Sequence, residues 1–224
     1  MKTRLFLLFL IFATLATAQD AAFYPKLAVK LSPLSALDPL TSTLAGSITY
    51  RPAPWLGLHV EYGWQHKLLK STGHTSRLLN SRYYELRPEI QFFADWSGTQ
   101  EVYLALEGFY IPHTFSLEHS YINLNRRDIR FDSADGNRFT HGLALKGGVQ
   151  FLISDYFLLE VFSGFGYRRR EINIFNLVNP REDNVHNNHH LSVNPYTQPG
   201  VKHRIHLSFG VRIGGVLARK KLER

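Results

Sequence analysis

The run Leu56-Gly57-Leu58-His59-Val60-Glu61-Tyr62-Gly63-Trp64-Gln65 decides the fold. Leucine, valine, tyrosine and tryptophan fill the even positions; glycine, histidine, glutamate and glutamine fill the odd ones. A period of two belongs to an extended strand, whose successive side chains point to opposite faces. One face of this strand is greasy, and the other is polar or bare.

The alternation recurs on both sides. Leu44, Gly46, Ile48 and Tyr50 oppose Ala45, Ser47, Thr49 and Arg51, and a weaker first strand sets Leu27, Val29 and Leu31 against Lys26, Ala28 and Lys30. Tyr84, Leu86, Pro88, Ile90 and Phe92 oppose Glu85, Arg87, Glu89 and Gln91. Pro88 has no amide hydrogen to give a ladder, so a local bulge is expected there. Val102 to Tyr110, Leu143 to Phe151, Phe157 to Tyr167 and Ile205 to Ile213 repeat the pattern and bring the count to eight strands.

The connections alternate in length. Arg51-Pro52-Ala53-Pro54, the segment Asp95 to Gln100, and Ser154-Asp155 are short; residues 32–43, 66–80, 112–140 and 169–202 form longer polar segments. In an up-and-down meander, odd and even connections lie at opposite ends, so all long loops share one end. The expectation is an all-β chain, an eight-stranded antiparallel up-and-down transmembrane β-barrel with four extracellular loops.

The N-terminus has Lys2 and Arg4, an apolar run from Leu5 to Leu15, then Ala16-Thr17-Ala18 before Gln19. That is the order of a cleaved secretory signal, here residues 1–18, leaving 19–224 as the barrel and a short basic tail, Arg219-Lys220-Lys221. With no cysteine there is neither a disulfide scaffold nor a lipidated N-terminal cysteine. The formal charge of +8 is spread along the chain rather than clustered, so nucleic acid is not an expected partner.

Alternation alone does not say which face is inside, and a soluble barrel with a greasy pocket satisfies it too. The polar face carries Glu61, Glu85, Arg87, Glu89, Glu107, Lys146, Glu160, Arg168 and Arg212 among glycines, which suits a narrow interior filled by paired charges. Aromatics gather near strand ends. Tyr50, Trp55, Phe92, Phe93, Trp96, Tyr156 and Phe157 lie by the short turns, and Tyr62, Trp64, Tyr84, Tyr110 and Tyr167 by the long loops. Two such girdles are what lipid interfaces select.

With Leu27 to Ser35, Leu44 to Tyr50 and Leu56 to Tyr62 on these strands, the chain resembles the small OmpA/OmpX-type barrels, particularly those of Bacteroidota-type bacteria. The resemblance implies the cell outer membrane, contact with its lipid and lipopolysaccharide, and insertion by the barrel-assembly machinery. It also implies an alternative, since some such barrels are lipid A deacylases or acyltransferases that use Ser and His. One departure concerns the C-terminus: the apolar strand stops near Val216-Leu217 and the tail Ala218 to Arg224 follows, where such barrels often end on an aromatic. Phe209 to Ile213 is then the candidate assembly signal.

Candidate sites are sparse. His186, His189 and His190, with His203 and His206 beyond, offer imidazoles to a metal, but no cysteine or carboxylate stands at ligand spacing beside them. Ser–His chemistry has two candidates: His206 with Ser208, which point into the lumen away from a lipid substrate, and the loop group His113, Ser116, Glu118, His119 and Ser120, which has no evident oxyanion donors. The reading is therefore a non-enzymatic envelope protein without cofactor, whose loops meet a surface ligand the sequence does not name.

Overall fold

The computed structural model describes residues 23–37, 42–65, 78–95, 99–124, 127–182 and 198–221. Residues 1–22, 38–41, 66–77, 96–98, 125–126, 183–197 and 222–224, Trp96 among them, fall outside these. The described residues form β1 (Phe23–Ser32), β2 (Thr43–Ala53), β3 (Leu56–Gln65), β4 (Leu78–Asp95), β5 (Gln100–Leu124), β6 (Arg127–Leu152), β7 (Phe157–Val178), β8 (Arg181–Glu182) and β9 (Gly200–Lys221). A short 3-10 segment, Pro33–Leu37, follows β1.

Each long strand pairs antiparallel with the next, and β9 pairs with both β7 and β1, so eight strands close into a ring. The two-residue β8 adds a patch on β6 at Ile129 and Arg130. The ring is uneven. β3 spans ten residues, whereas β5 and β6 span 25 and 26, and their hairpin stands well above the β1–β3 side.

The charged face is inside. Lys30, Glu89, Glu107, Lys146, Glu160 and Arg212 are buried, while Ile48, Leu58, Val60, Leu104, Leu145 and Val161 are exposed on the outer surface. Tyr62, Trp64, Tyr84, Tyr110 and Tyr167 border this apolar belt at one end, and Tyr50, Trp55, Phe92, Tyr156 and Phe157 at the other. Tyr62 stacks between Trp64 and Tyr84 at 6.4 and 5.9 Å. Phe93, expected among them, instead points inward against Tyr103.

Large inward side chains sit opposite glycines. Phe109 faces Gly142, Phe115 faces Gly136, Lys146 faces Gly164 and Phe162 faces Gly210. The ring is too narrow for two large groups side by side, so the missing Cβ is what admits each ring or aliphatic stem.

Four sequence expectations need correction. Residues 112–140 are not a loop: β5 continues to Leu124 and β6 starts at Arg127, paired throughout. The alternation there survives with its polarity swapped, because Phe115, Leu117, Ile122, Phe131, Ala134 and Ile172 form an apolar cluster inside the protruding hairpin. Residues 169–202 are likewise strand at both ends, through Val178 and from Gly200. The tail from Ala218 is strand to Lys221, because β1 begins as early as Phe23 and supplies partners for Ala218, Arg219, Lys220 and Lys221. Finally, the β3–β4 register runs through Pro88 without a shift. Pro88 packs its ring near Gly108, and the β4–β5 ladder simply omits that pair.

A Cβ on Gly210 would lie 2.5 Å from Phe162 Cζ, so the ring, which also lies beneath Arg212 and Lys146, would have to shift. Gly210→Val should therefore destabilise the fold by roughly 1–3 kcal/mol through overpacking, read as a lower thermal midpoint of the far-ultraviolet strand signal.

Candidate functional site

Arg212 is the centre of the interior. Its side chain is 0 % exposed and touches three carboxylates: Nε to Glu61 at 2.9 Å, Nη1 to Glu160 at 2.6 Å and Nη2 to Glu89 at 2.5 Å. Register explains the convergence, since Glu160 pairs directly with Arg212 across β7–β9 while β3 and β4 bring Glu61 and Glu89 from the far wall. A guanidinium suits this position because its five donors lie in a rigid plane that meets several carboxylates at once.

Two lysines extend the layer. Lys146 bonds Glu89 at 2.7 Å and also Glu107, and Lys30 bonds Glu160 and, at 3.2 Å, Gln150 Oε1. Arg87 bridges Glu85 and Glu107. Hydroxyls meet remaining lone pairs: Ser32 donates to Glu61 at 2.6 Å, Tyr103 to Glu160 at 2.6 Å and Thr43 to Glu85 at 3.3 Å. Phe162 lies beneath both Arg212 and Lys146, at 4.3 and 4.4 Å from its centroid. The ion-paired layer holds five carboxylates against four cations, and Gln150, accepting from Lys30 and donating to Glu101 at 3.0 Å, joins it to a further pair, Arg51 with Glu101 at 2.7 Å, toward the short turns.

Eight of the nine interior charges read from the sequence meet in this layer. Arg168 does not; it lies nearer the mouth, lining a cavity. Lys30, Arg51, Glu101, Tyr103 and Gln150 join the interior network without having been singled out. Lys30, Arg51, Tyr103 and Gln150 stood on the polar faces of their strands, so alternation could have found them.

The nucleophile candidates separate. Ser116 bonds Asp135 at 3.1 Å, whereas His113 is inside, bonded through Nε2 to Ser81 at 2.8 Å and through Nδ1 to Arg138 at 2.6 Å. Because Arg138 can only donate, Nδ1 accepts and Nε2–H donates to Ser81, the reverse of a base poised to take a serine proton. His119 occupies a left-handed conformation, φ 45°, away from His113. His206 and Ser208 share the inner face of β9, where the His206 ring lies 4.4 Å from Phe109.

His186, His189 and His190 lie outside the described residues. Among those described, no three His, Cys, Asp or Glu gather in a way that would hold a metal ion. His203, on the outer face, is bonded to the Tyr167 hydroxyl.

No protein-family model, curated protein or solved structure matches this chain.

Leaving Glu61, Glu89 and Glu160 without Arg212 strands buried negative charge. Arg212→Leu should cost on the order of 3–5 kcal/mol, whereas breaking the exposed pair of Arg127 and Glu182 by Arg127→Ala should cost under about 1 kcal/mol, both read by denaturant titration.

Proposed function

We propose that the chain is an outer-membrane β-barrel protein, exported by the leader at residues 1–18, whose filled barrel displays surface segments and carries out no chemistry of its own. One observation carries the reading: polarity inverts along the strands. On β5, Leu104, Leu106 and Tyr110 face outward over the inward Ala105 and Glu107; beyond Tyr110 the inward residues are Ile111, His113, Phe115 and Leu117. The outward residues there become Thr114, Ser116 and Glu118. β7 changes likewise, from outward Val161, Phe165 and Tyr167 to outward Arg169 and Glu171 over inward Arg170 and Ile172. A surface that is apolar below and polar above one boundary matches a chain whose surroundings change there from hydrocarbon to water.

The interior supports a structural role over a pore, because the Arg212 layer fills the cross-section with side chains. The arrangement of Ser81, His113 and Arg138 supports a non-enzymatic role over lipid hydrolysis, since Arg138 occupies Nδ1, Nε2–H donates to Ser81 rather than taking its proton, and no carboxylate among the described residues orients the imidazole. The protruding β5–β6 hairpin, with β8 against it, is the natural place for contact with other molecules, being held rigidly clear of the rest.

The test is a heat-modifiability gel on detergent extracts of outer membranes. Unboiled protein should migrate apart from boiled protein and should resist extraction by alkali; a soluble, unshifted protein would overturn the reading. Within the same assay, Leu145→Arg, in the middle of the apolar belt, should lower stability by roughly 2–4 kcal/mol, while Ser116→Arg, outward beyond it, should change little.

A further inference from the structure

The lower half of the interior, between the Arg212 layer and the short turns, has two unlike walls. Where β1, β7 and β9 meet, Ala28, Leu158 and Val216 pack as an apolar cluster. Across β1 to β4 the inward side chains include Tyr24, Thr49, Arg51, His59 and Gln91, all of them buried. On this second wall four polar atoms have no partner in the protein: His59 Nε2, Gln91 Oε1, Arg51 Nε and the Tyr24 hydroxyl. Their residues are 2 % exposed or less, so bulk solvent does not reach them. Buried polar atoms are costly to leave in that state, and in folded proteins they are nearly always bonded to something.

Register makes the four atoms neighbours. Thr49 pairs with His59 and Gly57 with Gln91, which sets His59 and Gln91 diagonally across β3 and β4 on one face. Arg51 follows Thr49 by two residues. Its guanidinium lies 5.1 Å from the centroid of the Tyr24 ring and 4.0 Å from that of Phe93, the inward residue next after Gln91. Gly57, opposite Gln91, has no side chain to offer any of them.

The other polar atoms of these side chains are engaged. His59 Nδ1 is bonded to the Thr49 hydroxyl at 2.8 Å. Gln91 Nε2 donates to Glu89 at 3.0 Å; because a carboxylate only accepts, the amide is fixed with its oxygen turned away. Arg51 Nη1 donates to Glu101 at 2.7 Å and Nη2 to the Pro54 carbonyl.

The partners that the four atoms need select the occupant. Gln91 Oε1 only accepts, Arg51 Nε only donates, and the Tyr24 hydroxyl does both. His59 Nε2 donates or accepts according to the role Nδ1 takes toward Thr49. A cation suits the amide oxygen but not the guanidinium N–H, and an anion the reverse. A small neutral molecule that both donates and accepts suits all four, and water is such a molecule.

We infer that this wall binds internal water, one molecule between His59 Nε2 and Gln91 Oε1 and a second serving Arg51 Nε and the Tyr24 hydroxyl. Bound there, water joins the short turn to the ionic layer. The route runs from the Pro54 carbonyl through Arg51 and the two waters to Gln91, then by Gln91 Nε2 to Glu89 and Arg212. The wall of Ala28, Leu158 and Val216, whose side chains are apolar, stays dry. The inference concerns the interior alone and holds whichever medium surrounds the ring.

The full chain, kept folded in an uncharged maltoside detergent, is examined by nuclear magnetic resonance for rotating-frame transfer from water, whose sign separates proximity from proton exchange. Cross-peaks to water are expected at the His59 ring protons and at Arg51 Nε–H, and none at the Leu158 and Val216 methyls. Gln91→Leu, which removes the acceptor, should abolish the His59 cross-peak. Thr49→Val, which removes the hydroxyl beside the ring, should leave it, and serves if Gln91→Leu does not fold; the far-ultraviolet strand signal establishes folding of each. Exchanging sodium chloride for potassium nitrate should shift neither signal. In folded protein, silence at the His59 ring or at Arg51 Nε–H overturns the inference. So do equal cross-peaks at the Leu158 and Val216 methyls, which would mean a flooded interior, and a salt-dependent shift, which would mean an ion. A His59 cross-peak that survives Gln91→Leu or vanishes in Thr49→Val overturns it too, the transfer then being relayed through the Thr49 hydroxyl. The membrane reading fails by its own gel assay, whose outcome does not alter these readouts.

Discussion

Charge buried without a partner is among the most costly things a protein can contain, and the interior of this ring is built around avoiding it. Arg212 alone engages Glu61, Glu89 and Glu160, and each of those carboxylates has a second donor in Ser32, Lys146 or Lys30. The cross-wall pairs fix register, because sliding any strand by one residue would turn its charges outward and leave their partners stranded inside. Apolar packing plays a smaller part in the lower ring, where the inner clusters are small: Phe93, Tyr103, Ala105 and Phe162 in one and Ala28, Leu158 and Val216 in another.

The same ladder changes character along its length. Around Arg212 the inside is ionic and the outside greasy; in the upper hairpin the inside is apolar, around Phe115, Phe131 and Ile172, and the outside carries Glu118, Asp132 and Asp135. Hydrogen-bonded strands do not dictate either arrangement, since a ladder satisfies its own backbone whatever surrounds it. Side-chain polarity is therefore free to vary along the ladder, and in this chain it changes once.

That inversion also explains what could be read in the sequence and what could not. The eight strands, their order and the facing of Glu61, Glu89, Glu107, Glu160 and Arg212 follow from alternation alone, which is a property of the chain at close range. The extent of β5 and β6 was hidden because Thr114, Ser116 and Glu118 look like a loop to any reading that expects a greasy outer face to continue. Phe115 and Leu117 carried the signal, but on the opposite phase. Tyr103 follows from alternation, being in phase with Glu107, whereas Phe93 was drawn to the outer face by the clustering of aromatics near strand ends; each inward ring is admitted by a glycine on a neighbouring strand, Gly148 or Gly57, and that pairing depends on register. The end of the β1–β9 ladder at Leu31 and Ile213 likewise depends on where β1 stops, which a local pattern does not show.

The ring closes between β1 and β9, the two strands farthest apart along the described chain. Every other long neighbour pair except β7–β9 is consecutive in sequence and can form as a hairpin at small entropic cost, whereas this one must wait until the whole meander is in place. The closing ladder runs from Phe23 with Lys221 to Leu31 with Ile213, while β7–β9 continues to Gly200. Assembly thus ends on one seam, and Lys30, reaching from β1 to Glu160 on β7, is the clasp drawn across it.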